Sequence, residues 1–427
     1  MRKLELKKAV VCIIGLGYIG LPIAEAFSRS MKVIGFDIDS DKIGELTKSI
    51  KNSNLLFTDN DNEITKADFI IVCVPTPVTR AKEVDLSFVE NAARIAGRNM
   101  KKGSTVILES TVYPGVTEDV VRPILERKSS LKCGVDFKIG YSPERINPGD
   151  TLHTVDKTTK VVAGMDKATT EVMAELYSRV ALSVFKARDI QTAEASKLVE
   201  NIQRDLNIAL VNEFAVIFER LGLSTRDVLD AAGTKWNFHR YSPGLVGGYC
   251  IPVNPYYLMH KAREMGYNPQ VIQAGRDMNN SVPKRVADMM SNALKEAGKK
   301  IKGSTVLIMG LTYKADVPDI RESATKHLVK ELKDSGVRVV GYDPNVDKEK
   351  FKRNWEDEFR LKMLWNIDDI KKAEVDGIII TVAHSPFRKL RLTDLQDMQS
   401  QPPILIDIPG SYDAGKAKKA GFYYKTL

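Results

Sequence analysis

Short apolar runs alternate with amphipathic stretches over roughly the first 190 residues. AVVCIIG, KVIGFDID, FIIVCVP, TVILEST and FKIGYSPE are rich in β-branched residues and end at Gly, Pro or acidic punctuation. Each predicts a buried strand. Between them LPIAEAFSRS and LSFVENAARIAGRNM carry helical spacing. Near-continuous apolar strands alternating with helices predict a doubly wound parallel sheet.

The pattern changes from about Asp189 to Ala297. TAEASKLVENIQRDLNIALVNEFAVIFERLGL keeps a helical period with no Pro or Gly before Gly222, and a second helical segment starts near Asn254. After the polar stretch KEAGKKIKGS the strand pattern returns as TVLIMGLTY, VRVVGYDP, GIIITVAH and ILIDIPG. The expected fold is α/β: two Rossmann-like doubly wound parallel-sheet domains, residues 1–190 and 298–427, joined by a central helical domain, 191–297, with a long helix.

Composition narrows the function classes. The 427 residues are 43% hydrophobic and 28% charged, which suits a globular chain rather than a disordered one. The net charge of +9 is spread along the chain beside acidic residues, with no basic arm, so nucleic acid is not an expected partner. No apolar run reaches the ~20 residues needed to span a bilayer, so a membrane is not expected either. MRKLELKKAVVCIIGLGYIG runs straight into a Gly-rich turn and reads as a strand, not a signal peptide. Cys12, Cys73, Cys133 and Cys250 lack metal-finger spacing, so no metal is expected, and a cytoplasmic location fits this cysteine usage.

Gly15, Gly17 and Gly20 form GLGYIG between the first strand and the first helix. The first glycine permits the tight turn, the second a close pyrophosphate, the third close helix–strand packing. Asp37 ends the next strand, near the ~20-residue spacing expected for a carboxylate on the adenosine ribose, which favours NAD over NADP. VPTP and STVYPG lie at later strand ends, placing Thr76, Ser110 and Thr111 at the crevice where α/β sheets bind ligands. The second α/β region has GLTYK at the matching strand end without the triple glycine, which suggests a different phosphate-bearing ligand there.

Three segments carry candidate chemistry. SPGLVGGYCIPVNP sets Cys250 behind three glycines, where a thiolate attacking a carbonyl and a plain packing role both stand. Glu194, Lys197 and Asn201 share a helix face suited to oxyanion stabilisation, or to solvation alone. Glu144 in SPER follows a strand and a proline turn, as a general acid/base or as a surface turn.

GLGYIG, VPTP, STVYPG, YSPERINPG, EASKLVEN, GLVGGYCIPVNP, GLTYKADVPDIRES and YDP occur in an order that resembles the UDP-glucose/GDP-mannose dehydrogenase family over essentially the whole chain. SPERINPG, KWNF, GLVGGYC and TVAHSPF look like its UDP-N-acetylhexosamine branch. The resemblance implies NAD-dependent, four-electron oxidation of a sugar C6 hydroxyl to a carboxylate, serving a surface polysaccharide or glycan precursor. It puts the nucleophile at Cys250, which would hold the aldehyde as a thiohemiacetal and then a thioester. The general acid/base falls on Glu144, the oxyanion partners on Lys197 and Asn201, and a water- and cofactor-holding role on Thr111. Implied cofactor contacts are Gly15, Gly17, Tyr18, Ile19, Gly20, Asp37, Lys42, Pro75, Thr76, Ser110, Thr111 and Arg321. Implied substrate contacts are Glu144, Arg145, Lys197, Asn201, Arg240, Gly244, Gly247 and Lys314.

Two departures stand out. Asn254 occupies the place of the family's Asp in CxPxD, and an amide cannot accept a proton at neutral pH. Tyr249 replaces the His common in the N-acetylhexosamine branch. The resemblance also implies a homodimer or higher homo-oligomer through the helical middle, and a UDP-sugar-binding domain at residues 298–427. The alternatives are a UDP-glucose 6-dehydrogenase of the same family, a two-electron hydroxyacid or 6-phosphogluconate-type dehydrogenase, and a non-catalytic nucleotide-binding protein.

Overall fold

The structure is a computed structural model that describes residues 8–79, 81–145, 154–354 and 359–427. The chain folds as two compact units. One holds residues up to Asn201 with Tyr256–Asn268, the other Ile202–Pro255 with Pro269–Leu427.

The first unit is built on an eight-stranded sheet. In chain order the strands are β1 (Val10–Ile14), β2 (Lys32–Phe36), β3 (Leu55–Thr58), β4 (Phe69–Val72), β5 (Thr105–Leu108), β6 (Lys138–Tyr141), β7 (Thr159–Gly164) and β8 (Ser183–Lys186). Their spatial order is β3-β2-β1-β4-β5-β6-β7-β8. The chain reverses direction across the sheet between β1 and β4, which opens a crevice at the strand ends. Alternate residues of β1 face opposite cores: Cys12 and Ile14 join Ile70 and Val72 on one side, Val11 and Ile13 join Val33 and Ile71 on the other. Such two-sided burial explains the continuous apolar runs. One pair departs from the parallel expectation, since β7 runs antiparallel to β6.

Helices α1 (Gly20–Ser28), α2 (Ser40–Ser49), α3 (Ser87–Asn99), α4 (Arg122–Ser129) and α5 (Lys167–Tyr177) belong to this unit. The 32-residue α6 (Ile190–Leu221) follows, and Gly222 at φ +71° ends it. Next come α7 (Thr225–Ala232), α8 (Asn254–Glu264) and α9 (Gln270–Glu296).

The second unit carries a six-stranded, all-parallel sheet. Its strands are β9 (Thr305–Met309), β10 (Arg338–Tyr342), β11 (Lys362–Met363), β12 (Gly377–Ile380), β13 (Ile404–Asp407) and β14 (Tyr423–Lys425), in the order β11-β10-β9-β12-β13-β14. It repeats the winding of the first sheet. Gly310 after β9 (φ +99°) stands where Gly15 stands after β1 (φ +95°). Asp343 after β10 takes the Leu311 amide at 2.7 Å as Asp37 after β2 takes that of Leu16 at 2.8 Å.

Candidate active site

The turn between β1 and α1 shows why three glycines stand there. Gly15 has φ +95°, and a Cβ on it would lie 2.7 Å from the Cys73 carbonyl oxygen. A Cβ on Gly20 would lie 1.8 Å from the Gly15 carbonyl oxygen. At Gly17 a Cβ would meet nothing within 4 Å, so that face of the turn is open to a ligand. The open cradle, the N-terminus of α1 and the acid beyond β2 together fit a dinucleotide pyrophosphate and ribose. Asp37 accepts from the Leu16 amide at 2.8 Å, the Asp39 amide at 3.1 Å and the Lys42 ammonium at 2.8 Å. Burial would lift its carboxyl, but those donors outweigh burial and hold it below the usual range. Tyr18 is exposed beside the turn and Ile19 half-buried.

Two loops border the same sheet end. The Ser110 hydroxyl donates to the Val74 carbonyl at 2.7 Å, and Tyr257 of α8 donates to the Pro77 carbonyl at 3.2 Å. These ties hold the VPTP loop, leaving Pro75 exposed and Thr76 and Thr111 half-buried. The fully buried Glu194 takes the Gly115 amide at 2.6 Å, the Thr117 amide at 2.9 Å and the Thr117 hydroxyl at 2.7 Å. It ties the STVYPG loop to α6. Burial pushes its carboxyl up to about 7 against the pull of those donors.

Glu144 is buried after β6, where its Oε2 meets the Lys160 ammonium at 3.1 Å and its Oε1 the Arg145 amide at 2.6 Å. Arg145 is committed within the unit: its Nε donates to Glu200 of α6 at 2.9 Å and its Nη1 to the Thr159 carbonyl at 3.1 Å. Lys197 and Asn201 follow one turn apart on α6, Lys197 buried and Asn201 half-buried. Residues Ile146–Gly149 of the SPERINPG motif lie outside the described residues.

The second unit holds the cysteine loop. Asn212 of α6 clamps it, accepting the Gly244 amide at 2.8 Å and donating to the Gly244 carbonyl at 3.1 Å. Gly247 and Gly248 then pass close to a neighbouring turn. A Cβ on Gly247 would lie 3.0 Å from the Glu322 carbonyl oxygen, and the Gly248 amide donates to that oxygen at 2.9 Å. Cys250 is exposed, and its carbonyl accepts the amide of the buried Asn254 at 3.0 Å. Arg321 forms a two-pronged pair with Asp319, 2.9 Å at both contacts, and sits 5.1 Å from the centre of the Tyr249 ring. Arg240 pairs with Asp230 on the surface.

A cavity of about 280 Å³ lies between this loop and the ends of β9 and β12, lined by Gly244, Gly247, Thr312, Lys314 and Thr381 among others. His384 supports its wall, with Nε2 3.0 Å from the Thr312 hydroxyl and 3.1 Å from Asp343, while Nδ1 accepts the Asp316 amide at 2.9 Å. An amide on Nδ1 puts the ring proton of the neutral imidazole on Nε2.

Family models match along the chain. The UDP-glucose/GDP-mannose dehydrogenase NAD binding domain covers residues 9–181, its central domain 191–281 and its UDP binding domain 307–414. The chain belongs to the UDP-glucose/GDP-mannose dehydrogenase family. Within it, the chain is 42% identical over 412 residues to Protein CapL of Staphylococcus aureus, covering 94% of this chain and 95% of that one. It is 40% identical over 425 residues to a UDP-N-acetyl-D-glucosamine 6-dehydrogenase of Pseudomonas aeruginosa, covering 96% and 99%. Among solved structures, a UDP-D-ManNAc dehydrogenase from Pyrococcus horikoshii aligns with a TM-score of 0.87 at 28% identity, covering 98% of this chain and 99% of that one. The family's cofactor is NAD, and its NAD binding domain model covers the Gly15–Gly20 turn. Among the described residues no group of side chains could hold a metal, and no helix is long and apolar enough to cross a membrane.

Sequence reasoning missed Lys160, Glu109 and Asn212. A lysine second in the strand TKVVAG and an acid closing TVILE were visible signals, because charge inside a fully buried strand demands a partner. Asn212 gave no signal, since nothing in a helical pattern marks which residue clamps a loop 32 positions away.

Proposed function

We propose that the chain oxidises the C6 hydroxyl of a UDP-N-acetylhexosamine to the carboxylate, with UDP-N-acetylglucosamine as the preferred substrate. The observation that carries this reading is the 40% identity, over 96% of the chain, to a UDP-N-acetyl-D-glucosamine 6-dehydrogenase. Residues 1–190 hold the dinucleotide, 191–297 the helical middle with the cysteine, and 298–427 the UDP moiety.

Bound NAD supplies a hydride acceptor twice per substrate. The chain's own groups do the rest. Gly15, Gly17 and Gly20 present backbone to the pyrophosphate, Asp37 and Lys42 hold the ribose end, and Lys314 with Gly244 and Gly247 line the UDP pocket. Glu144 handles the proton lost when the alcohol becomes an aldehyde. Cys250 Sγ adds to the aldehyde carbon to form a thiohemiacetal, which keeps the reactive intermediate from leaving. Lys197 and Asn201 stabilise the oxyanion. After the second hydride departs, a thioester remains, and Glu144 takes a proton from the water that hydrolyses it. With Asn254 unable to accept a proton, Glu144 and Lys197 carry the proton handling.

Further readings follow the same lines. A homodimer through α6 is supported by the exposed Leu210, Ile217 and Leu221, which recur at i, i+7 and i+11 on that helix. A cytoplasmic location fits the supply of NAD and nucleotide sugar.

A substrate panel read at the NADH band tests the assignment. UDP-N-acetylglucosamine, UDP-N-acetylmannosamine and UDP-N-acetylgalactosamine are compared with UDP-glucose and GDP-mannose. UDP-N-acetylglucosamine should give the highest kcat/KM, with UDP-glucose at least ~tenfold lower. A preference for UDP-glucose or GDP-mannose would overturn the substrate assignment.

A further inference from the structure

Behind Glu144 lies a buried ionic cluster with no part in the reaction steps above. Lys160 on β7 is 3% exposed, and its ammonium donates to Glu109 Oε2 at 2.7 Å, Glu144 Oε2 at 3.1 Å and the Pro143 carbonyl at 3.2 Å. Glu109, just past β5, is fully buried, and its other oxygen accepts the Tyr177 hydroxyl at the end of α5. The buried Cys73 after β4 lies within electrostatic reach of the ammonium. On the outer side of Glu144, Arg145 is neutralised by Glu200 of α6. One ammonium thus serves two buried carboxylates.

The fold does not demand this arrangement. Replacing such a buried ionic group as a whole by apolar side chains costs little net stability, whereas removing the lysine alone leaves two buried carboxylates without their cation. Two carboxylates that share one cation influence each other's proton uptake, so they titrate as a pair.

We infer that Lys160 is the positioning residue for Glu144. It fixes the orientation of Glu144 Oε2 and favours the ionised form needed for proton abstraction. Glu109 competes for the same ammonium and thereby sets how readily Glu144 takes up and returns a proton. The inference rests on Glu144 acting as general acid/base.

Profiles of kcat against pH, with KM for both substrates and melting temperature, test it in four full-length variants. Glu144→Gln tests the underlying reading and should lose at least ~10²-fold in kcat. Lys160→Met should move the acidic limb of kcat upward by roughly 1–3 pH units and leave both KM values near wild type. Lys160→Arg should bring the limb most of the way back. Glu109→Gln should move the limb downward, because Glu144 then has the ammonium to itself. A lysine that only supported packing would lower the melting temperature and leave the limb in place.

If Glu144→Gln turns over like wild type, the reading of Glu144 falls and this inference with it. If Glu144→Gln is inactive while the limb stays put in Lys160→Met and Glu109→Gln, or moves the same way in both, the inference alone is overturned. Should Lys160→Met fail to fold, an unmoved limb in Glu109→Gln is sufficient to overturn it.

Discussion

Two alanine substitutions in one turn separate folding from cofactor binding. A Cβ at position 20 would sit 1.8 Å from the Gly15 carbonyl oxygen, and that neighbour is backbone. To reach even a tight contact, the start of α1 must part from the Gly15 turn by roughly 1 Å, an overpacking change that costs about 1–3 kcal/mol. For a unit of this size that lowers the melting temperature by roughly 2–10 °C. At position 17 the added carbon meets nothing within 4 Å, so Gly17→Ala should melt within ~1 °C of wild type. Its methyl would occupy the space assigned to the pyrophosphate, and NAD affinity should fall at least ~tenfold, about 1.4 kcal/mol. Differential scanning fluorimetry without ligand and NAD titration by calorimetry read the two effects apart. Wild-type NAD affinity in Gly17→Ala would refute the placement of the pyrophosphate, and a wild-type melting temperature in Gly20→Ala would refute the packing argument.

Three other outcomes are expected. Asp37→Ala should raise KM for NAD about tenfold and narrow the preference over NADP, because the ionised carboxylate that repels a 2′-phosphate is gone; an unchanged NAD/NADP ratio of kcat/KM would count against it. Glu194 has its folded-state carboxyl raised to about 7, so its stabilising share is full below the unfolded carboxylate range and is lost as pH rises toward 7. Wild type should therefore lose melting temperature relative to Glu194→Gln between about pH 5 and 7.5, and parallel curves would contradict this. Asn212→Ala leaves the Gly244 groups and the Asn279 side chain without their partner, at a cost of about 1–3 kcal/mol, and should lower kcat by loosening the cysteine loop; unchanged kinetics and melting would remove the clamp.

The fold was legible wherever a local requirement wrote it. β1, the Gly15–Gly20 turn and α1 follow from short-range sterics and two-sided burial, and α6 follows from an unbroken helical period up to Gly222. β11 and β14 escaped notice because two or three residues give too little pattern to see, and β3 because only alternate residues of it are buried, so no continuous apolar run marks it. The antiparallel pairing of β7 with β6 escaped for another reason: strand direction is not written in composition. Site legibility divides similarly. Asp37 is visible through its spacing from the glycines. The partners of Glu144 are not, since Lys160 and Glu109 lie 51 residues apart and meet only once the sheet is formed. Arg145 and Arg240 read as charges available to a substrate, whereas each is paired with an acid of its own unit, Glu200 and Asp230.

The covalent four-electron route is tested most directly by counting. Limiting UDP-N-acetylglucosamine with excess NAD should yield two NADH per sugar consumed, with no aldehyde captured by an added hydroxylamine, and Cys250→Ala should fail to complete the second oxidation. One NADH per sugar with free aldehyde accumulating, or a Cys250→Ala enzyme that still delivers two, would contradict the account.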